Sequence, residues 1–291
     1  MTPAAPPPHA LPDPGPTDAA PPYPLEGVVS WNMNTTCNYR CGYCTQRFLD
    51  DRTRWAKDLP AFVAAFARLP GDWEIKLSGG EPFLHPGFLD LVEALVRQGR
   101  RVSVVTNLSA REETLLRFAA LTEARPGVIS ASLHLEHADP EAFRAKASRL
   151  AAAHAGRLCV TCVATRANLP RLARLRAAFA PLPFKVQPEK QDRVVIDYGE
   201  DERDTIDALG GHNGTGELAP DYSGRSCWAG ARYFIVDDRG EAFRCYPARR
   251  TRAERLGNLL DGTFRPRFAP EPCRYSYCNC TIPRERGMVR P

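Results

Sequence analysis

The sequence predicts an α/β chain: a partial barrel of six strand–helix units, followed by a small cysteine-rich β-hairpin domain. Three observations carry this reading. From Val28 onward, apolar runs of strand length alternate with helical stripes at intervals of roughly 25–30 residues, the pattern of βα units on a parallel sheet. The alternation breaks into charged and Gly-rich sequence from Gln191 to Arg225. Beyond that, five of the ten cysteines fall between Cys227 and Cys280, around one hairpin pattern.

Strands are expected at 28–35, 73–79, 101–107, 129–136, 158–166 and 183–188, and helices near 59–69, 86–99, 110–122, 139–155 and 168–180. Pro86 suits a helix start, and Leu91, Val92, Leu95 and Val96 form an apolar stripe at helical spacing. Asp139 and Asn168 are N-cap candidates. Six strands are too few for a closed eight-stranded TIM-type barrel, so an open (β/α)6 version is chosen over a doubly wound sheet. A helix near 200–209 interrupts an otherwise irregular connection. Tyr233-Phe234-Ile235-Val236, the turn Asp237-Asp238-Arg239-Gly240 and the run from Glu241 to Cys245 read as a hairpin. The domains are therefore 1–27, 28–190, a connection at 191–225, and 226–291. Ten of the first 24 residues are proline, which predicts a disordered or polyproline-like start.

Composition narrows the function. An apolar share of 43% and a charged share of 25% belong to a globular protein with a core of useful size. The net charge is +5, with no dense basic block, so nucleic acid is not an expected partner. No apolar run approaches the roughly 20 residues of a membrane span. The start of the chain lacks the pattern of a signal peptide. Ten cysteines in such a chain point to metal or redox chemistry in a reducing compartment, and so to the cytoplasm.

Two motifs carry the chemistry. Cys37, Cys41 and Cys44 lie at CxxxCxxC spacing directly after the first strand. Three thiolates on one loop hold three irons of a 4Fe–4S cube and leave the fourth for a ligand, whereas ferredoxin-type sites supply four. Zinc sites pair CxxC or Cys/His ligands, and no histidine follows at such a spacing. Ser78-Gly79-Gly80-Glu81-Pro82 ends the second strand; its glycines admit a ligand close to the backbone, and its carboxylate suits an ammonium group.

Together these motifs resemble the radical S-adenosylmethionine (radical SAM) superfamily over residues 28–189. The resemblance implies that Cys37, Cys41 and Cys44 ligate a 4Fe–4S cluster whose open iron chelates S-adenosylmethionine. Tyr43 then lies by the adenine, and Gly79, Gly80 and Glu81 hold the methionyl ammonium. Val105-Thr106-Asn107 and Ser130-Ala131-Ser132-Leu133-His134 look like the family's third- and fourth-strand motifs, making Asn107 and Ser132 ribose candidates. Arg166, at the end of the fifth strand, is a candidate for the SAM carboxylate. The implied chemistry is reductive cleavage of SAM to a 5′-deoxyadenosyl radical that abstracts hydrogen from a substrate, with an external electron donor such as flavodoxin or ferredoxin.

Cys227, Cys245, Cys273, Cys278 and Cys280 resemble the ligands of the family's SPASM and shorter twitch domains. Five cysteines suffice for one auxiliary 4Fe–4S cluster, with Cys278 or Cys280 as fourth ligand. A structural zinc or a tail disulfide are the alternatives. Two other pairs are set aside: residues i and i+3 on a strand face opposite ways, so neither His134 with His137 nor Cys159 with Cys162 is expected to chelate. Both of those cysteines are expected as buried, inert side chains.

The expected activity is a net oxidation or bond-forming step on a small polar metabolite, sugar- or aminocyclitol-like. Modification of a ribosomally made peptide is the alternative, and a non-catalytic iron–sulfur or zinc protein is the alternative of another class. Lys185, Gln187, Glu189 and Glu136 are candidates for a substrate acid, base or anchor.

Overall fold

The computed structural model describes residues 27–46, 48–49, 52–191, 194–211, 218, 221–278 and 282–289, with backbone alone at 52–57 and 283–284. The proline-rich segment and Cys280 lie outside the described residues.

Six strands pair in parallel and in sequence order: β1 (Gly27–Asn32), β2 (Trp73–Ser78), β3 (Arg101–Thr106), β4 (Pro126–Leu133), β5 (Arg157–Ala164) and β6 (Phe184–Pro188). The connections carry α1 (Arg52–Ala67), α2 (Phe88–Arg97), α3 (Glu112–Leu121), α4 (Pro140–Ala153) and α5 (Leu169–Ala178). This is the partial barrel read from the sequence. On β2 and β4 successive side chains alternate between the two faces of the sheet. On β2, Trp73, Ile75 and Leu77 join the core under the helices, while Glu74, Lys76 and Ser78 face the other way. On β4, Ile129, Ala131 and Leu133 are buried while Ser130 and Ser132 are half-buried. The inner face of the barrel is thus unusually polar, which marks it as a place for a ligand rather than a packed core.

The helices meet this sheet through apolar stripes. In α2, Phe88, Leu91, Val92 and Leu95 are buried at helical spacing. Asp139 caps α4, its Oδ1 accepting from the Ala142 amide at 2.8 Å, as its position before Pro140 suggested. Asn168 precedes α5 but does not cap it; its amide donates instead to the Val163 carbonyl at 2.9 Å. The Cys159 and Cys162 side chains are both buried, and on opposite faces of β5: Cys162 lies in the core under the helices, Cys159 against Ser130.

After β6 come the short strands β7 (Lys190–Gln191) and β8 (Val194–Val195), then α6 (Glu200–Ala208) and β9 (Ser226–Cys227). The hairpin follows as β10 (Tyr233–Val236) and β11 (Glu241–Phe243), and then α7 (Tyr246–Thr251), β12 (Arg255–Asn258), β13 (Glu271–Pro272) and α8 (Ile282–Glu285). Its turn forms as expected: Asp237 accepts from the Arg239 and Glu241 amides, and Gly240 has φ 84°. The hairpin is not a detached module, however. β10 pairs in parallel with β1, so the main sheet runs β12-β11-β10-β1-β2-β3-β4-β5-β6 among the described residues. Every residue of β1 is buried in consequence. A second core forms where Val28 and Tyr233 meet Tyr222, Cys227, Ile282, Met288 and Val289. The last described residues therefore fold back beneath the barrel.

Candidate functional site

The cysteine loop leaves β1 and stays zipped to the stretch after β2. Met33 N donates to Ser78 O, Gly80 N to Asn34 O and Glu81 N to Thr36 O, at 2.9–3.0 Å. This contact explains both glycines. Gly79 has φ +144°, and a Cβ on Gly80 would lie 2.0 Å from the Thr36 carbonyl. They admit the cysteine loop's own backbone before they admit any ligand.

Glu81 is 1% exposed, and its carboxylate is fully engaged. Oε1 accepts from Phe83 N at 3.1 Å and Thr106 Oγ1 at 2.9 Å, and Oε2 accepts from Asn107 N at 2.7 Å. Burial pushes its pKa up to about 7, against the pull of those three donors. Glu81 thereby locks the end of β3 to the loop after β2. Asn107, so placed, points its amide at Asn38 Oδ1 (3.0 Å) and toward Cys37 Sγ (3.9 Å).

The other side of the cysteine loop is held by the sequence His134-Leu135-Glu136-His137. β4 ends at Leu133, earlier than expected, and the chain turns, His137 N donating to His134 O at 2.9 Å. Both histidines therefore face the cysteine loop, which corrects the opposite-faces argument made for a strand. Tyr43 Oη meets His134 Nδ1 at 2.8 Å, Gly42 N donates to Glu136 Oε2 at 2.8 Å, and Arg40 N donates to His137 Nε2 at 3.3 Å. The Tyr39 ring stacks on His137 with centroids 4.7 Å apart. Ligand atoms of Cys41, Glu136 and His137 lie within 4.8 Å of one another. Burial, helped by His137, pushes the His134 pKa down to about 4, so its ring is neutral at pH 7. Burial raises the Cys37 thiol, and the Cys41 thiol to about 11. The Tyr39 amide, 3.4 Å from Cys37 Sγ, and the Asn107 amide group are donors suited to a thiolate.

Beneath the loop lies a chamber of about 200 Å³, the inside of the barrel. Ser130 and Ser132 of β4, Thr161 of β5, Lys185 and Gln187 of β6, and Glu74 and Lys76 of β2 face it, and Glu285 and Arg286 close it from below. Thr161 Oγ1 donates to Ser132 Oγ at 3.4 Å.

A second thiol cluster sits under the hairpin. Cys227, Cys245, Cys273 and Cys278 line one small pocket with Tyr222, Tyr275 and Val289. Each arrives on a different piece of chain: Cys227 in β9, Cys245 before α7, Cys273 after β13, and Cys278 beyond it. The Ala229 amide lies 3.5 Å from Cys227 Sγ, and burial raises the Cys245 thiol to about 12, the neighbouring Cys227 and Cys273 adding to it. Arg244 is 1% exposed beside the pocket. Its guanidinium donates to Ala229 O (3.1 Å), Glu254 Oε1 (3.0 Å), Pro272 O (3.1 Å) and Glu271 O (2.7 Å), pinning three of the contributing segments. No disulfide joins any of the nine described cysteines.

Residues 31–170 match the family model of the radical SAM superfamily. The chain carries a radical SAM domain. Over 116 residues it is 28% identical to a probable GTP 3′,8-cyclase of Thermococcus kodakarensis, which is 39% of this chain and 36% of that one. Over 97 residues it is 29% identical to an S-adenosylmethionine-dependent nucleotide dehydratase of Psychrobacter lutiphocae, which is 28% of this chain and 33% of that one. These matches span about a third of each curated relative's length. Among solved structures, Streptococcus suis SuiB bound to S-adenosylmethionine superposes with a TM-score of 0.55 at 14% identity, covering 82% of this chain and 64% of that one. AnSMEcpe with bound AdoMet and a Cp18Cys peptide gives 0.51 at 16% identity, covering 81% and 78%. These two likenesses establish the fold.

Within the radical SAM domain, Cys37, Cys41, Cys44, Tyr43, Gly79, Gly80, Glu81 and Asn107 come together at one end of the barrel. Ser132 lies in the chamber. Arg166 sits past β5 with its guanidinium held by Glu202 (3.1 Å) and the Asp197 carbonyl (2.6 Å). Glu136, singled out as a substrate acid or base, supports the cysteine loop instead. Sequence reasoning missed Asn34, whose side chain accepts from Gly80 N at 2.8 Å and donates to Glu81 O at 3.1 Å, and Gln46, which donates to Gly79 O at 2.7 Å. It also missed Arg244, although its place next to Cys245 was a signal. Among the described residues no helix is long and apolar enough to cross a membrane.

Proposed function

We propose that this protein is a radical SAM enzyme that carries out a net oxidation or bond-forming step on a polar substrate in the barrel chamber, in the cytoplasm and with an external electron donor such as flavodoxin or ferredoxin. The observation that carries it is the cysteine loop: three free thiols on one loop, held between Glu81–Asn107 and His134–His137, with amide donors aimed at Cys37. That donor set fits a 4Fe–4S cluster with one open corner. Held by Cys37, Cys41 and Cys44, such a cluster with S-adenosylmethionine would supply one-electron radical chemistry for hydrogen abstraction.

The chain's own residues do the rest. Cys37, Cys41 and Cys44 are the ligands. The Gly79 and Gly80 backbone, which Glu81 and Asn34 hold in place, offers the methionyl ammonium its acceptors. Tyr43, braced by His134, would hold the adenine, and Asn107 and Ser132 the ribose. Arg166 reaches the SAM carboxylate only by leaving Glu202. The inward serines and Thr161 orient the substrate, and the floor excludes water.

Cys227, Cys245, Cys273 and Cys278 fit a closed auxiliary 4Fe–4S cluster of twitch type, the amide donors and the buried Arg244 suiting four thiolates. Those four cysteines would hold a group that supplies one-electron transfer to the substrate or to the first cluster.

For the substrate, the polar chamber supports a small metabolite. A peptide substrate is the second reading, favoured by the Cp18Cys peptide in the anSMEcpe complex. Anaerobic reconstitution with iron and sulfide, then dithionite and S-adenosylmethionine, tests the enzyme reading. Wild type should release 5′-deoxyadenosine and Cys37→Ala should not. No product from reconstituted wild type would leave a non-catalytic metal-binding protein.

A further inference from the structure

The charges in the barrel chamber do not cancel: among the described residues that line it, Lys76 and Arg157 are left without an ion pair, and of these two only Lys76 is half-buried. Glu74 is 1% exposed and takes Arg286 Nη2 at 3.2 Å on both carboxylate oxygens, with Ser103 Oγ donating to Oε1 at 2.6 Å. Lys185 Nζ meets Glu285 Oε1 at 2.6 Å. The floor is thus two ion pairs. Lys76, half-buried and facing the same space, has no hydrogen bond or ion pair within 4 Å among the described residues; Glu285 senses its charge only as a more distant neighbour than Lys185. Its partners in register are Ser30 on β1 and Ser103 on β3, so no acid flanks it across the sheet.

The position of Lys76 is also telling. Inward residues on β2 are Glu74, Lys76 and Ser78, about 6.6 Å apart along the strand. Glu74 belongs to the floor, and Ser78 leads into the Gly79–Glu81 stretch at the cysteine loop. Lys76 lies between them, below the cysteine loop and above the ion pairs. A half-buried ammonium without a partner is free to take one, and a charge-assisted hydrogen bond to an anion is the strong kind. Gln187, on β6 across the chamber, likewise has no hydrogen-bond partner among the described residues and adds a donor.

We propose that the barrel chamber binds its substrate by an anionic group, a carboxylate or a phosphate, held on Lys76. This deepens the enzyme reading above and rests on it for the chamber's role. It narrows the substrate class: an aminocyclitol-like cation is opposed by Lys76, with Lys185 and Arg286 nearby. An anionic metabolite, or a peptide presenting an acidic side chain or its C-terminal carboxylate, is matched. Among the described residues the floor leaves Lys76 as the one half-buried cation not already paired, Arg157 standing at the exposed start of β5, so that the rest of the substrate extends toward the cysteine loop.

Lysine footprinting of the reconstituted, SAM-loaded protein tests this. Acetic anhydride is applied anaerobically and the Lys76 peptide is followed by mass spectrometry, with Lys190 as internal reference. Inorganic phosphate or succinate should slow Lys76 acetylation about tenfold, the worth of one charge-assisted hydrogen bond, while potassium chloride of equal ionic strength and tetramethylammonium chloride should not. Protection by succinate alone assigns a carboxylate, and by phosphate alone a phosphate. Equal behaviour in chloride overturns the proposal, as does protection of Lys76 by S-adenosylmethionine alone, which would give the ammonium to that cofactor's carboxylate. The same preparation is assayed for 5′-deoxyadenosine. Product together with an anion-insensitive Lys76 sinks this inference and leaves the enzyme reading standing, whereas protection without product does the reverse.

Discussion

The Gly42 amide and the Glu136 carboxylate lie 94 positions apart in the chain and meet at 2.8 Å. Gly42 is between two of the three cysteines, and Glu136 is in the turn that follows β4. This bond, with those of Arg40 to His137 and Tyr43 to His134, fixes the cysteine loop against the barrel from the side opposite Glu81.

Removing that carboxylate should loosen the loop without unfolding the barrel. Glu136→Ala is expected to weaken iron binding at the three-cysteine site by about fivefold, the worth of one partly exposed hydrogen bond near 1 kcal/mol. Glu136→Gln retains an acceptor for Gly42 and should behave like wild type. Iron titration, with circular dichroism as control, reads both; equal loss in the two variants would mean that the charge matters rather than the bond.

Gly80 is a sharper lesion. A Cβ there would sit 2.0 Å from the Thr36 carbonyl and 3.0 Å from the Cys37 amide. Gly80→Ala should push the cysteine loop off the end of β2 and cost on the order of 1–3 kcal/mol by overpacking. Iron at the three-cysteine site should be lost while the helical signal stays. Full iron loading in this variant would show that the two stretches can separate freely.

The half-buried His134 gives the metal-free protein an acid-sensitive component. Its folded pKa of about 4 lies below the ordinary 6.5, so between these values the unfolded chain takes up a proton that the folded chain refuses. Stability is therefore expected to fall as the pH drops from about 6.5 to about 4, by about 2–3 kcal/mol. His134→Gln should lack that component. Denaturant titrations at several pH values measure it, and parallel pH profiles for the two proteins would refute it.

The four-thiol pocket predicts an iron count. Reconstituted wild type should hold about eight irons per chain and Cys245→Ser about four. Because Cys227, Cys273 and Cys278 arrive on separate segments, cluster assembly should also protect residues 222–289 from hydrogen exchange. Four irons in wild type, unchanged by Cys245→Ser, would remove the auxiliary cluster.

Much of the barrel could be read in advance because its signals are local. The strand expected at 73–79 is found at Trp73–Ser78, and the stripe Leu91, Val92, Leu95 lies on the buried face of α2. The three cysteines and Gly79-Gly80-Glu81 marked the end of the barrel where they meet. What escaped was non-local or depended on where a strand stops. Nothing in Tyr233–Val236 announces that it pairs in parallel with β1, some 200 positions earlier. His134 and His137 looked incompatible because the run Ser130 to Leu133 continues smoothly into them, and only the turn after Leu133 sends both to the same loop. Arg166 stood at a plausible strand end, but Glu202 on α6 competes for it, and that helix is reached only through an irregular connection.

The parallel pairing of β10 with β1 has a practical result. β1 has neighbours on both flanks, and one of them is supplied by chain beyond residue 226. A barrel fragment ending before Ser226 would bare a row of unsatisfied amides and carbonyls along an apolar ribbon, an invitation to stick to other copies. Intact protein should melt in a single step, and such a fragment should precipitate rather than behave as an independent domain.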